Sequence, residues 1–152
     1  MAKGIILDSM YRFYWNIEAK VGPGCPNKTE DYQLVQLAFY CNATNPLAPP
    51  KPENKPIYDA VVPGAVYTGN PSDPLSIAIK TKQKDHGGVQ DGVVSLIHAG
   101  GTYAPGTPYV LVTLNNNIID VLGDDWPWIN RHPKCPAALK AAVDRTFRIG
   151  AA

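Results

Sequence analysis

Asp120, Asp124 and Asp125 fall just ahead of Trp126 and Trp128. Two carboxylates beside rings that can stack on a sugar are the ingredients of glycoside hydrolysis. Here the acids sit past the end of an apolar helical stripe and before Pro127, where a solvated loop is expected, so the sequence gives them no catalytic role. Trp126 and Trp128 keep two functional roles, stacking on a glycan or anchoring a protein interface, in which tryptophan is enriched. Packing of at least one ring into the core is the ordinary alternative. His86, His98 and His132 show no nucleophile–base–orienter order. The chain has no Gly-x-Ser-x-Gly, His-Glu-x-x-His or phosphate-loop motif. His132 and Cys135 lie three apart without a second ligand pair, and structural zinc takes four ligands. Cys25, Cys41 and Cys135 are an odd count that fits thiols in a reducing compartment. The expectation is a non-enzyme with no metal and no cofactor.

Composition narrows the partners. With 152 residues the chain is read as one domain, 1–152, able to bury a core. Its 14 basic and 13 acidic residues form no basic block, so nucleic-acid binding lacks electrostatic support. No apolar run is long enough to span a bilayer. The apolar run Ile5-Ile6-Leu7 is too short for a secretory signal and Asp8 interrupts it. Synthesis in the cytoplasm without such a signal is expected. Fifteen prolines and thirteen glycines imply many turns.

These residues need elements to position them. Tyr11, Phe13, Trp15, Ile17, Ala19 and Val21 alternate with polar residues, the period of a half-buried strand. That strand carries more aromatic surface than a small domain needs, so Tyr11, Phe13 and Trp15 are candidates for an interaction edge. A helix is expected over about 28–41. Asn27 serves as its cap, Glu30 completes a capping box, and Leu34, Val35, Ala38 and Cys41 form its apolar stripe. Pro46, Pro49, Pro50, Pro52 and Pro56 mark an extended loop. Residues 58–67 read as two short strands around Pro63-Gly64. A second helix starts at Ser72 or Asp73 with Pro74 in its first turn and stops before Gly87-Gly88. Asp91-Gly92 is a turn. Residues 107–122 pass for a strand at Tyr109–Leu114, but Leu111, Leu114, Ile118 and Val121 keep a helical stripe, and a helix is favoured. A last helix follows Cys135-Pro136.

In chain order these pieces resemble a peptidoglycan-binding-like domain of the bacterial and phage three-helix type. The match runs through Val21-Gly22-Pro23-Gly24, Asn27, Asp31 and Val35-Gln36. It continues through Ala78-Ile79 with Gln83, then Asp91, Gly92 and Val94, then Gly100-Gly101-Thr102 and Leu114-Asn115. It covers about 20–40 and 75–117. Lys82 stands where that family has an aromatic residue. The resemblance implies a mostly α (α+β) fold: a compact helical core over about 20–122, an N-terminal strand, a β-hairpin insertion over 43–70 and a C-terminal extension, 123–152, ending in a helix. It also implies a non-enzymatic structural or interaction subunit of a phage particle or phage-like contractile injection assembly. The alternative is a peptidoglycan-binding module delivered by such an assembly. Expected partners are other protein subunits, self included, and peptidoglycan. Gln36 is a candidate contact for a sugar or peptide stem, or a buried amide tying helix to loop.

Placing Val35 on the buried stripe predicts that Val35→Asp destroys the fold, because an unpaired buried charge costs several kcal/mol, roughly the stability of a small domain. A soluble variant that still melts cooperatively in circular dichroism would put Val35 on the surface.

Overall fold

The computed structural model describes residues 3–7, 12–98, 102–104 and 107–151. Five helices carry most of it: α1 (Thr29–Thr44), α2 (Lys55–Asp59), α3 (Pro74–His86), α4 (Val110–Leu122) and α5 (Ala137–Ala151). Four short strands accompany them: β1 (Lys3–Leu7), β2 (Arg12–Asn16), β3 (Thr102–Ala104) and β4 (Thr107–Pro108). β1 pairs antiparallel with β2, and β3 with β4. Among the described residues no helix is long and apolar enough to cross a membrane.

α1 is the central element. Every residue from Asp31 to Phe39 is buried, and α2, α4 and α5 all pack on it. A single apolar stripe was expected; instead the helix is enclosed around its circumference, with Leu34, Val35, Leu37, Ala38, Phe39 and Cys41 all inaccessible. Its polar residues are therefore buried too, and each reaches a different neighbour. Asp31 accepts the backbone N–H groups of Glu18 and Ala19 at 3.0 and 3.1 Å. Gln33 accepts the Leu139 N–H at 3.0 Å, one of the N–H groups in the first turn of α5 that helix geometry leaves without an internal partner. Gln36 accepts from Gly64 N–H at 3.0 Å and donates to the Ala65 carbonyl at 2.8 Å. Asn42 accepts from Lys82 Nζ at 2.7 Å.

The start of α1 corrects one expectation. Asn27 is not its cap. Lys28 takes that position without a side-chain hydrogen bond. Asn27, at a positive φ of 49°, instead turns back on Gly22 and pairs with both its N–H (2.7 Å) and its carbonyl (2.9 Å). Glu30 forms an ion pair with Arg145 of α5 at 2.8 Å.

α3 begins and ends where its caps require. The Asp73 carboxylate accepts the Leu75 N–H at 2.8 Å, Pro74 occupies the first turn, and Gly87 closes the helix at φ 84°. α4 is the helix that the stripe at Leu111, Leu114 and Ile118 implies, and all three are fully buried. Its first residue is Val110, and Thr107-Pro108 pairs in β4 rather than capping it. Leu139, Ala142 and Val143 of α5 close the core.

Two further corrections concern 43–70 and the N-terminal strand. The inserted segment is not a β-hairpin: residues 55–59 form α2, and 60–70 contain no strand. Tyr58 on α2 packs its ring 5.3 Å from Phe39, so this segment contributes to the core. β2 does not present one wet and one dry face, since Tyr14 and Trp15 are both at 0% exposure. One of its edges pairs with β1. At Trp15 the backbone N–H donates to Asn115 Oδ1 at 2.8 Å and the carbonyl accepts from Asn115 Nδ2 at 2.9 Å, so the α4 amide supplies the groups of a neighbouring strand. Asn16 does the same for Ile97, with both bonds at 2.9 Å.

Asn115→Leu keeps the volume but strips both partners from the buried Trp15 peptide groups. The expected loss is about 2–4 kcal/mol of unfolding free energy in urea, since each unsatisfied buried group costs about 1–3 kcal/mol. A loss below about 0.5 kcal/mol would show that water replaces the amide.

Candidate functional site

The aromatic candidates form a row. The Phe13 and Trp15 ring centroids are 5.1 Å apart, edge to face; Trp15 and Phe147 follow at 5.7 Å, then Phe147 and Trp128 at 5.4 Å. The Arg131 guanidinium lies 5.0 Å over the Trp128 ring and reaches Asp125 at 3.3 Å. Trp15 is the dry middle of the row, and its indole N–H donates to the Pro127 carbonyl at 2.8 Å. Trp128 is the exposed end, at 37%. Trp126 is half-buried against the core. The structure therefore brings Phe13, Trp15 and Trp128 together and separates Gln36 from them, its amide committed to the 64–65 loop. Trp15 is framework rather than interaction edge, because its ring and peptide are both enclosed. Tyr11 lies outside the described residues.

The residues that carry the family resemblance also converge. Val21 and Val94 form an isolated antiparallel bridge, N–H to carbonyl at 3.2 and 2.8 Å. Gln83 of α3 grips the Asp91-Gly92 turn: it accepts the Gly92 N–H at 2.9 Å and donates to the Val93 carbonyl at 2.9 Å and to Asp91 at 3.0 Å. Gly22 meets this turn so closely that a Cβ would lie 2.5 Å from the Gly92 carbonyl oxygen, so only glycine fits. The polar atoms of Asn27, Asp31, Gln36, Gln83 and Asp91 are thereby engaged in holding loops to helices.

Asp120 lies within α4 and accepts from Asn45 at 2.9 Å. Asp124 and Asp125 are exposed in the single 3-10 turn that follows α4. Among the described residues no three His, Cys, Asp or Glu side chains are placed to hold a metal. Burial pushes the Cys41 and Cys135 thiols up to about 12, which disfavours their thiolates. His132 is buried, its ring edge-on to Tyr40 at 5.6 Å, and its Nδ1 accepts the Lys134 N–H at 3.0 Å. Burial first, and the Lys134 charge second, hold its pKa below the usual histidine value.

Two clefts open on the surface. One, of about 340 Å³, lies beside His86, His98 and Tyr109. The other, of about 360 Å³, opens between the end of α1, α2, α3 and α4 and is lined by Asn42, Tyr58, Lys82, Asp85, Asn116 and Asp120. Sequence reasoning missed this second cleft. Its one signal was Lys82, standing where the resemblance leads one to expect an aromatic ring. Tyr58, from α2, puts an aromatic ring beside it, with Lys82 Nζ 5.8 Å from the ring centroid.

Comparison with models of known protein families, with curated proteins and with solved structures finds no match to this chain.

The His132 geometry sets a pH dependence. Its folded pKa is lower than its unfolded value, near 6.5, so the unfolded chain binds the proton first. Stability is full above about 6.5 and is lost as pH falls from there through the folded value. His132→Gln should flatten this limb of a pH series of urea midpoints, and an unchanged limb would assign it to other groups.

Proposed function

We propose that the chain is a non-enzymatic interaction module whose contact surface centres on Trp128 and Arg131. The observation that carries this is the exposed Trp128–Arg131 stack at the end of an aromatic row anchored in the core. Tryptophan and arginine are the residues most enriched in protein-interface hot spots. A rigid row behind them reduces the entropy lost on docking. Phe147 and Arg131 already pack against the Trp128 ring, so a sugar stacking there competes with them. That favours a protein surface over a glycan as the partner.

The setting inferred from the resemblance is a phage particle or phage-like contractile injection assembly, with other subunits or a second copy as the partner. The second reading, a peptidoglycan-binding module, draws on the convergence of Val21, Asn27, Gln83, Asp91 and Val94 in one frame. Those residues spend their polar groups internally, which supports a packing unit more than a ligand contact.

Light scattering over a concentration series and co-sedimentation with purified cell-wall sacculi separate the readings. The expected result is concentration-dependent self-association that is lost in Trp128→Ala with Arg131→Ala, with melting unchanged and no sacculus binding. Binding to sacculi that disappears in Trp126→Ala with Trp128→Ala but survives Asp124→Asn with Asp125→Asn would move the assignment to the glycan module. Release of soluble fragments from sacculi would overturn the non-enzymatic reading.

A further inference from the structure

The cleft between the end of α1, α2, α3 and α4 contains polar atoms that the fold itself does not use. Tyr58 is 1% exposed and Asn42 3% exposed, yet among the described residues the Tyr58 hydroxyl and the Asn42 Nδ2 have no hydrogen-bond partner. Both side chains line the cleft. Leaving a buried donor unmade costs about 1–3 kcal/mol, and nearly every other buried amide described above is doubly bonded. Two residues with orphaned polar atoms, both lining a space of about 360 Å³, mark a place that something else completes.

Lys82 supplies the charge. Its ammonium donates to Asn42 Oδ1 at 2.7 Å, and this pins the Asn42 amide with Nδ2 as the free end. An ammonium has three donors, so others remain for a ligand. The nearest acid on its own helix, Asp85, is in an ion pair with Lys51 at the rim. Among the described residues Lys82 is thus a largely buried cation without a carboxylate in ion-pair contact, and burial lowers its pKa while Asp85 opposes that shift. Asp120 lines the cleft as well, already accepting from Asn45 on one oxygen.

We propose that this cleft binds a small molecule through its carboxylate, which takes hydrogen bonds from Lys82 Nζ, the Tyr58 hydroxyl and Asn42 Nδ2. One cation with two neutral donors balances a single negative charge. The nearby Asp85 and Asp120 make a dianion such as phosphate a poorer fit, and they offer acceptors to a hydroxyl or amino group beside the carboxylate. A hydroxy acid or amino acid of a few carbons is the matching class. This goes beyond the interaction module: neither Trp128 nor Arg131 lines the cleft, so Trp128→Ala should leave the binding intact and the two proposals fail separately.

The test is a titration of the full chain with sodium lactate and, in parallel, with inorganic phosphate, followed by amide chemical shifts in two-dimensional NMR. Lactate should shift cleft residues of α2, α3 and α4 saturably, and phosphate should bind more weakly. Lys82→Met should weaken lactate binding at least about tenfold. Tyr58→Phe should weaken it severalfold while leaving the melting temperature unchanged or higher, because it deletes a hydroxyl the fold does not satisfy. Lactate shifts that do not saturate, equal binding in both variants, or tighter binding of phosphate would each overturn the proposal. So would a clear loss of stability in Tyr58→Phe, which would show that the hydroxyl is already satisfied internally.

Discussion

A helix enclosed on every side can carry a polar residue only where that residue finds a partner, because each buried group left alone costs more than its bond returns. α1 obeys this constraint four times, and the arrangement of its neighbours follows. Asp31 fixes the turn that leads out of β2, Gln33 fixes the first turn of α5, Gln36 fixes the inserted loop, and Asn42 fixes the Lys82 ammonium of α3. Apolar contacts such as Leu34, Val35 and Phe39 supply the bulk of the burial, but they are non-directional. The amides decide which loop lies against which turn of the helix, since the hydrogen bonds they make form in one register only.

The same device recurs away from α1. Asn16, Asn27 and Asn115 each use both ends of one amide on the N–H and carbonyl of a single residue. Each stands in for one rung of a sheet. That is how a mostly helical chain whose described strands form two-stranded sheets keeps the buried backbone of its extended segments bonded. It also explains why so much proline and glycine is compatible with a fixed fold: the loops are held by side chains rather than by their own ladders.

The helices were legible where local signals and burial agree. Asp73-Pro74 and Gly87 bound α3, and the spacing of Leu111, Leu114 and Ile118 outweighs the β-branched run at the start of α4. The misses share a cause. Asn27 has the composition of a cap but is recruited by Gly22, a partner set by tertiary structure. The alternation at Phe13, Trp15 and Ile17 describes a strand with one wet face, whereas Tyr14 is buried as well and bonds to Asn116 at 3.1 Å. Residues 58–67 read as strands around Pro63-Gly64, yet Lys55-Pro56 starts a helical turn that takes in Tyr58. Of the candidate site, the aromatic composition was readable, but the meeting of residues 13, 15, 128 and 147 was not. The polar cleft joins Asn42, Tyr58 and Lys82 from three elements, and no local pattern announces it.

The β1–β2 hairpin is locked by residues made much later. Trp15 waits for Asn115, one hundred positions on, and Asn16 waits for Ile97, 81 positions on. At a synthesis rate of ~5–20 residues per second, the first of these delays is on the order of 5–20 s. During that interval Phe13, Tyr14 and Trp15 leave the ribosome before anything exists to enclose them. The order of the sequence therefore leaves this aromatic segment unsheltered while the hundred residues after it are made, so the yield in a cell depends on what guards that segment in the meantime.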